Sequence, residues 1–151
     1  MGAQGGKNSL SRFINIPGGL TVDQAQQRAN AHLEFISDRA LADVDDNLAC
    51  LGAYLALIRE EPPRVVRDEL QRLSTCIVSL AGAFGREAMG KAAYSLCRLL
   101  DLGEERGFWD RSAIDVHYGA LRALRHAHSA SAEAHVLEGL RRVISRVKEA
   151  H

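Results

Sequence analysis

Two stretches of apolar residues at alternating spacings of three and four, separated by a double proline, constrain this chain most. Leu41, Val44, Leu48, Leu51, Leu55 and Ile58 form the first stripe, and Val66, Leu70, Leu73, Ile77, Leu80 and Phe84 form the second. That spacing places every member on one face of an α-helix, the pattern of a bundle seam. Pro62-Pro63 between them must break the helix, because proline has no N–H to donate and fixes its own φ. No segment shows sustained period-two alternation of β-branched residues, so the reading is all-α.

The remaining helices follow from the same rule. Thr21-Val22-Asp23-Gln24 fits a capping box, so a first helix should run from about Val22 to Ile36, with Ala25, Ala29, Leu33 and Ile36 on one side. A second should begin near Ser37-Asp38 and a third just after Pro63, ending near Gly85. The fourth is expected from about Arg86 to Leu102, capped by Gly103, with Gly107 in the following loop. A fifth opens near Asp110 or Ser112, and a last one has Ser131 as its N-cap. Short connections between amphipathic helices imply antiparallel neighbours. The expected architecture is an antiparallel four-helix up-and-down bundle with an extra N-terminal helix and an extra C-terminal helix. Residues 1–20, rich in glycine, read as a flexible arm, and residues 21–151 as one domain.

Composition narrows the function. Nineteen basic and nineteen acidic residues give a net charge of zero, so no global field favours nucleic acid or membrane. The longest apolar runs fall far short of the roughly 18 residues that a membrane span needs, and the N-terminus lacks the layout of a secretory signal. Cys50, Cys76 and Cys97 are odd in number and widely spaced. They offer neither a disulfide framework nor a zinc motif, and read as buried or half-buried core residues in a reducing cytoplasm. Trp109 with Phe108 reads as a plug for one bundle end. Arg122, Arg125, Arg141, Arg142, Arg146 and Lys148 make the last third locally basic, a solvated surface or else a rim for an acidic partner.

The segment Thr75–Asp101, TCIVSLAGAFGREAMGKAAYSLCRLLD, resembles the phosphoacceptor segment of histidine phosphotransfer (Hpt) domains. Those domains carry H-x-x-K-G on a helix, with a further glycine ten residues after the histidine. Aligning that glycine on Gly85 puts Thr75 at the acceptor position, Val78 at the lysine position and Ser79 at the first glycine position. One bacterial subgroup continues roughly G-G-T-F-G and then S-L-C-R-L-L. Here the corresponding residues are Ala81-Gly82-Ala83-Phe84-Gly85 and Ser95-Leu96-Cys97-Arg98-Leu99-Leu100. The arm with Pro17, and Asp115-Val116-His117 leading into Ala120-Leu121-Arg122, are similar in style, so the resemblance extends over about residues 14–147.

The resemblance implies a bundle that presents position 75 to a receiver domain, and a loss of the chemistry there. A threonine hydroxyl would form a stable phosphoester rather than a reversible phosphoramidate, and it has no base beside it in sequence. Val78 cannot neutralise phosphoryl charge as a lysine does. Thr75 should be partly or fully exposed, with Gln71, Val78, Ser79 and Gly82 around it as the docking face. None of His117, His126, His128 and His135 sits in the acceptor pattern; they read as surface or packing residues. His135 and Glu138, three apart, form one isolated pair that reads as a solvated face rather than a metal site. The expectation is a cytoplasmic, non-enzymatic pseudo-phosphotransfer protein without cofactor, binding a response-regulator receiver domain or a histidine kinase. The alternative is a helical interaction module or homodimer unrelated to phosphorelay.

Overall fold

The computed structural model describes residues 19–151, and among them every regular element is an α-helix. The five helices are α1 (Val22–Leu57), α2 (Arg64–Ala83), α3 (Glu87–Arg106), α4 (Arg111–Arg125) and α5 (Ala130–Ala150). The expected arm lies, up to residue 18, outside the described residues. No described helix is long and apolar enough to cross a membrane. The described residues divide into two units, the second of them Arg39–His151 and the first ending at Asp38.

The helix starts obey capping chemistry. At the head of α1 the Gln24 N–H donates to Thr21 Oγ1 at 3.2 Å, and the Thr21 N–H donates to Gln24 Oε1 at 3.0 Å, the reciprocal box that the sequence predicts. Asp110 caps α4 by accepting from the Ala113 N–H at 2.9 Å. The start of α5 differs from expectation. Ser129, not Ser131, accepts the capping N–H, from Ala132 at 3.1 Å, and Ser131 lies inside the helix.

Three further boundaries depart from the sequence reading. The first two expected helices are one, because Ser37-Asp38 only weakens helical propensity and contains no proline to stop it. Along this merged helix Leu33 and Phe35 are each 62% exposed, and Ala25 and Ala29 are exposed as well. The stripe Ala40, Val44, Leu48, Leu51 and Leu55 is buried. Gly103 lies inside α3 rather than capping it, and the cap is Gly107, at φ +71°. Both glycine-ended helices close with a bond spanning five residues, from Arg86 N–H to the Ala81 carbonyl after α2 and from Phe108 N–H to the Gly103 carbonyl after α3, each 2.9 Å. Phe84, expected on the inward face, sits at the C-cap of α2 and is half-buried.

Within residues 39–151 the pairings run in opposite directions. Gln71 bonds to Asp101 and Thr75 touches Cys97, so residue numbers rise along α2 as they fall along α3. Asp45 pairs with Arg125, Gly52 meets Tyr118 and the Ile58 carbonyl accepts from Arg111, which sets α1 against α4 in the same sense. The core gathers Leu51, Leu70, Leu73, Ile77, Met89, Leu96, Leu99, Leu121 and Leu124, all 2% exposed or less. Each such side chain contributes on the order of 1.5–3 kcal/mol of burial free energy. Phe108 belongs to this core and stacks on His151 at 4.2 Å between ring centroids, while Trp109 is half-buried beneath the Arg67 guanidinium.

Candidate functional site around Thr75

Position 75 lies midway along α2 because the inward stripe Leu70, Leu73, Ile77 and Ala81 fixes the phase of the helix. That phase leaves Thr75, Ser79 and Gly82 exposed and Gln71 and Val78 half-buried. Val78 packs against the core cluster, so it forms the inner edge of this face. A Cβ at Gly82 would meet nothing within 4 Å, and the surface is open there. Behind the face, α3 approaches closely through small residues. A Cβ on Gly90 would touch Ala81 Cβ at 3.7 Å, and Ala92 and Ala93 are fully buried.

The polar groups of this face bond mostly to their own helix. Thr75 Oγ1 donates to the Gln71 carbonyl at 2.9 Å, and Ser79 Oγ donates to the Thr75 carbonyl at 3.2 Å. These bonds satisfy the hydroxyls locally and activate neither. Cys97 Sγ lies 3.8 Å from Thr75 Oγ1. Burial pushes the Cys97 thiol above its ordinary pKa, so it is a neutral neighbour and not a base. Gln71 Nε2 donates to Asp101 Oδ1 at 3.1 Å and ties α2 to α3 one turn before Thr75.

On the other side of Thr75 a shallow groove opens between α1 and α2. It is lined by Asp43, Asp46, Asn47, Thr75, Cys76, Ser79 and Leu80. Two carboxylates line it, and the Arg72 guanidinium, paired with Glu69, reaches one lining residue, Cys76, at 3.8 Å from Sγ. A phosphoryl group on Thr75 would therefore have carboxylates in the adjoining groove, while Arg72, three residues earlier on α2, is already paired with Glu69.

The histidines separate by environment. His117 is fully buried; its Nδ1 donates to the Ala113 carbonyl at 2.7 Å, which leaves Nε2 to accept from Ser95 Oγ at 2.9 Å. Desolvation lowers its pKa below the ordinary 6.5. Sequence reasoning missed this pair, because Ser95 and His117 lie on different helices and no spacing within either segment signals that they meet. The order hydroxyl, imidazole, orienting carbonyl matches a nucleophile–base arrangement, yet the imidazole is completely enclosed, and its contacts join α3 to α4. His126, His128 and His135 are exposed. Among the described residues no three His, Cys, Asp or Glu side chains converge as metal ligands would. Cys50 corrects the reading of the cysteines, since it is exposed while Cys76 is half-buried and Cys97 buried. The chain matches no family model, no curated protein and no solved structure.

Proposed function

We propose that this protein is a degenerate relative of Hpt domains, a non-enzymatic cytoplasmic adaptor of a phosphorelay system. It docks a response-regulator receiver domain, or the corresponding surface of a histidine kinase, without accepting phosphate at the usual position. The reading takes Arg39–Leu57 of α1 with α2, α3 and α4 as the four-helix up-and-down bundle of that family, and the all-helical fold is compatible with it. The observation that carries the reading is the exposed face of α2 centred on Thr75. Gln71, Thr75, Val78, Ser79 and Gly82 form a small, uncharged surface midway along a rigid helix. Such a face can bury area against a partner while offering no phosphoryl chemistry. Its hydroxyls are held by helix carbonyls, and two carboxylates line the groove beside Thr75.

Titration of the protein with the receiver domains of the same genome tests this reading, with Gly82→Arg as the probe variant. The added side chain projects into open space and leaves the packing untouched. Micromolar or tighter binding that Gly82→Arg weakens tenfold or more is the expected result. Binding that is absent for every receiver and kinase, or indifferent to the variant, contradicts it.

A second reading, a helical interaction module or homodimer outside phosphorelay, has its own observation in the exposed Leu33 and Phe35 on α1. Light scattering distinguishes it: a concentration-dependent dimer lost on Leu33→Glu with Phe35→Glu favours the module.

A further inference from the structure

The groove between α1 and α4 is built differently from the Thr75 face. It is pinned at two levels. At one, Asp45 accepts from Arg125 Nε at 2.7 Å and Nη2 at 2.9 Å, which neutralises that arginine and sets the spacing of the helices. At the other, Tyr118 lies against α1 at Gly52, where a Cβ would stand 2.2 Å from the tyrosine oxygen. Between these pins the small residues Ala49, Gly119 and Ala123 leave an opening with Leu48 in its lining. A Cβ added at Gly119 would meet nothing within 4 Å.

Of the charges lining that opening, Asp45 and Arg125 compensate each other and Arg122 is left over. Arg122 sits over the Tyr118 ring at 5.9 Å from its centroid, an arrangement that holds the guanidinium in place. It has no carboxylate partner among the described residues. His126 lines the same groove one helical turn later, on the same side of α4. The carbonyls that close α4 do not oppose an anion strongly, because those of Ala123 and Leu124 already accept from the N–H groups of His126 and Ala127.

We propose that this groove binds a small amphipathic anion, a phosphomonoester or carboxylate carried on a compact apolar body. The oxyanion lies between Arg122 and His126, and the body rests on Leu48, Ala49 and Gly119 against the tyrosine ring. This site is independent of the Thr75 face, and its failure leaves the docking reading untouched.

The test is a ¹⁵N NMR titration of the full chain with phenyl phosphate, benzoate and inorganic phosphate. Shifts centred on the amides of Gly119, Arg122 and Ala123 are expected with at least one of the two aromatic anions. The stronger of them assigns the head group, and inorganic phosphate alone should bind more weakly. Arg122→Gln should weaken binding about tenfold or more, the loss of a charge-assisted hydrogen bond. Gly119→Leu should do the same by filling the opening without altering charge, whereas Arg141→Gln, on the exposed face of α5, should change nothing. Silence of the groove amides with both aromatic anions overturns the proposal. So does unchanged affinity in Arg122→Gln, or inorganic phosphate binding as tightly as phenyl phosphate.

Discussion

Ser95 Oγ and His117 Nε2 stand 2.9 Å apart across the α3–α4 contact, with the opposite ring nitrogen bonded to the Ala113 carbonyl. The imidazole is buried and held neutral, with its pKa below 6.5. The unfolded chain therefore binds the proton more readily than the folded one. The stabilising effect of this group is complete above about pH 6.5 and declines as pH falls from there toward the depressed folded value. Denaturant unfolding from pH 7.5 to 5.5 should show wild type losing more stability than His117→Gln, which has no ring to charge. His117→Ala at pH 7.5 should cost about 1–3 kcal/mol, because Ser95 and the Ala113 carbonyl lose their partner. Parallel pH profiles for wild type and His117→Gln would show that His117 does not titrate as described.

Gly52 makes room for the Tyr118 ring rather than serving a backbone angle. Gly52→Ala forces the Tyr118 ring away from α1 and should destabilise the fold by about 1–3 kcal/mol despite the better helical propensity of alanine. Tyr118→Phe combined with Gly52→Ala should restore part of that loss, since the phenolic oxygen is the nearest clashing atom. Thermal unfolding of the single and double variants reads this directly.

Gly85 and Gly107 each sit at φ +71°. Replacing either with alanine should cost roughly 1 kcal/mol, measured by chemical denaturation, because a Cβ strains the left-handed backbone whatever the free space around it. Gly119→Ala, in an exposed helical position with open space around its Cβ, should instead be neutral or stabilising.

The bidentate Asp45–Arg125 pair is partly exposed, so its coupling energy should be modest, about 0.2–1 kcal/mol in a double-mutant cycle, and should shrink at high salt. A coupling well above that range would mean that the pair is more desolvated than the half-exposed Asp45 indicates.

Much of the fold is legible in the residues, and the failures have physical causes. The strong signals are the central parts of the two main stripes, Val44 to Leu55 and Leu70 to Ile77, the proline break and the reciprocal Thr21–Gln24 cap. The stripe ends at Ile58 and Phe84 fall outside the helices, and Ala25, Ala29, Leu33 and Ile36 are exposed. Ser37-Asp38 misled because residues that prefer caps lower helical propensity only slightly and stop nothing on their own. Gly103 looked like a terminator, but its role is to let the backbone of Phe108 approach, where a Cβ would stand 2.8 Å from the carbonyl oxygen. The Ser95–His117 contact depends on how α3 and α4 rotate against each other, and no spacing within one helix encodes that. Likewise the acidic lining beside Thr75 comes from α1, about thirty residues away in sequence.

The central claim is an Hpt-like scaffold without its chemistry, and rebuilding that chemistry tests it most directly. The chain carrying Thr75→His, Val78→Lys and Ser79→Gly should be incubated with a phosphorylated receiver beside wild type, and position 75 followed for label. The account predicts acid-labile label on the triple variant and none on wild type. Phosphate on Thr75 of wild type, or a folded triple variant that stays unlabelled with every receiver of the same genome, would contradict it.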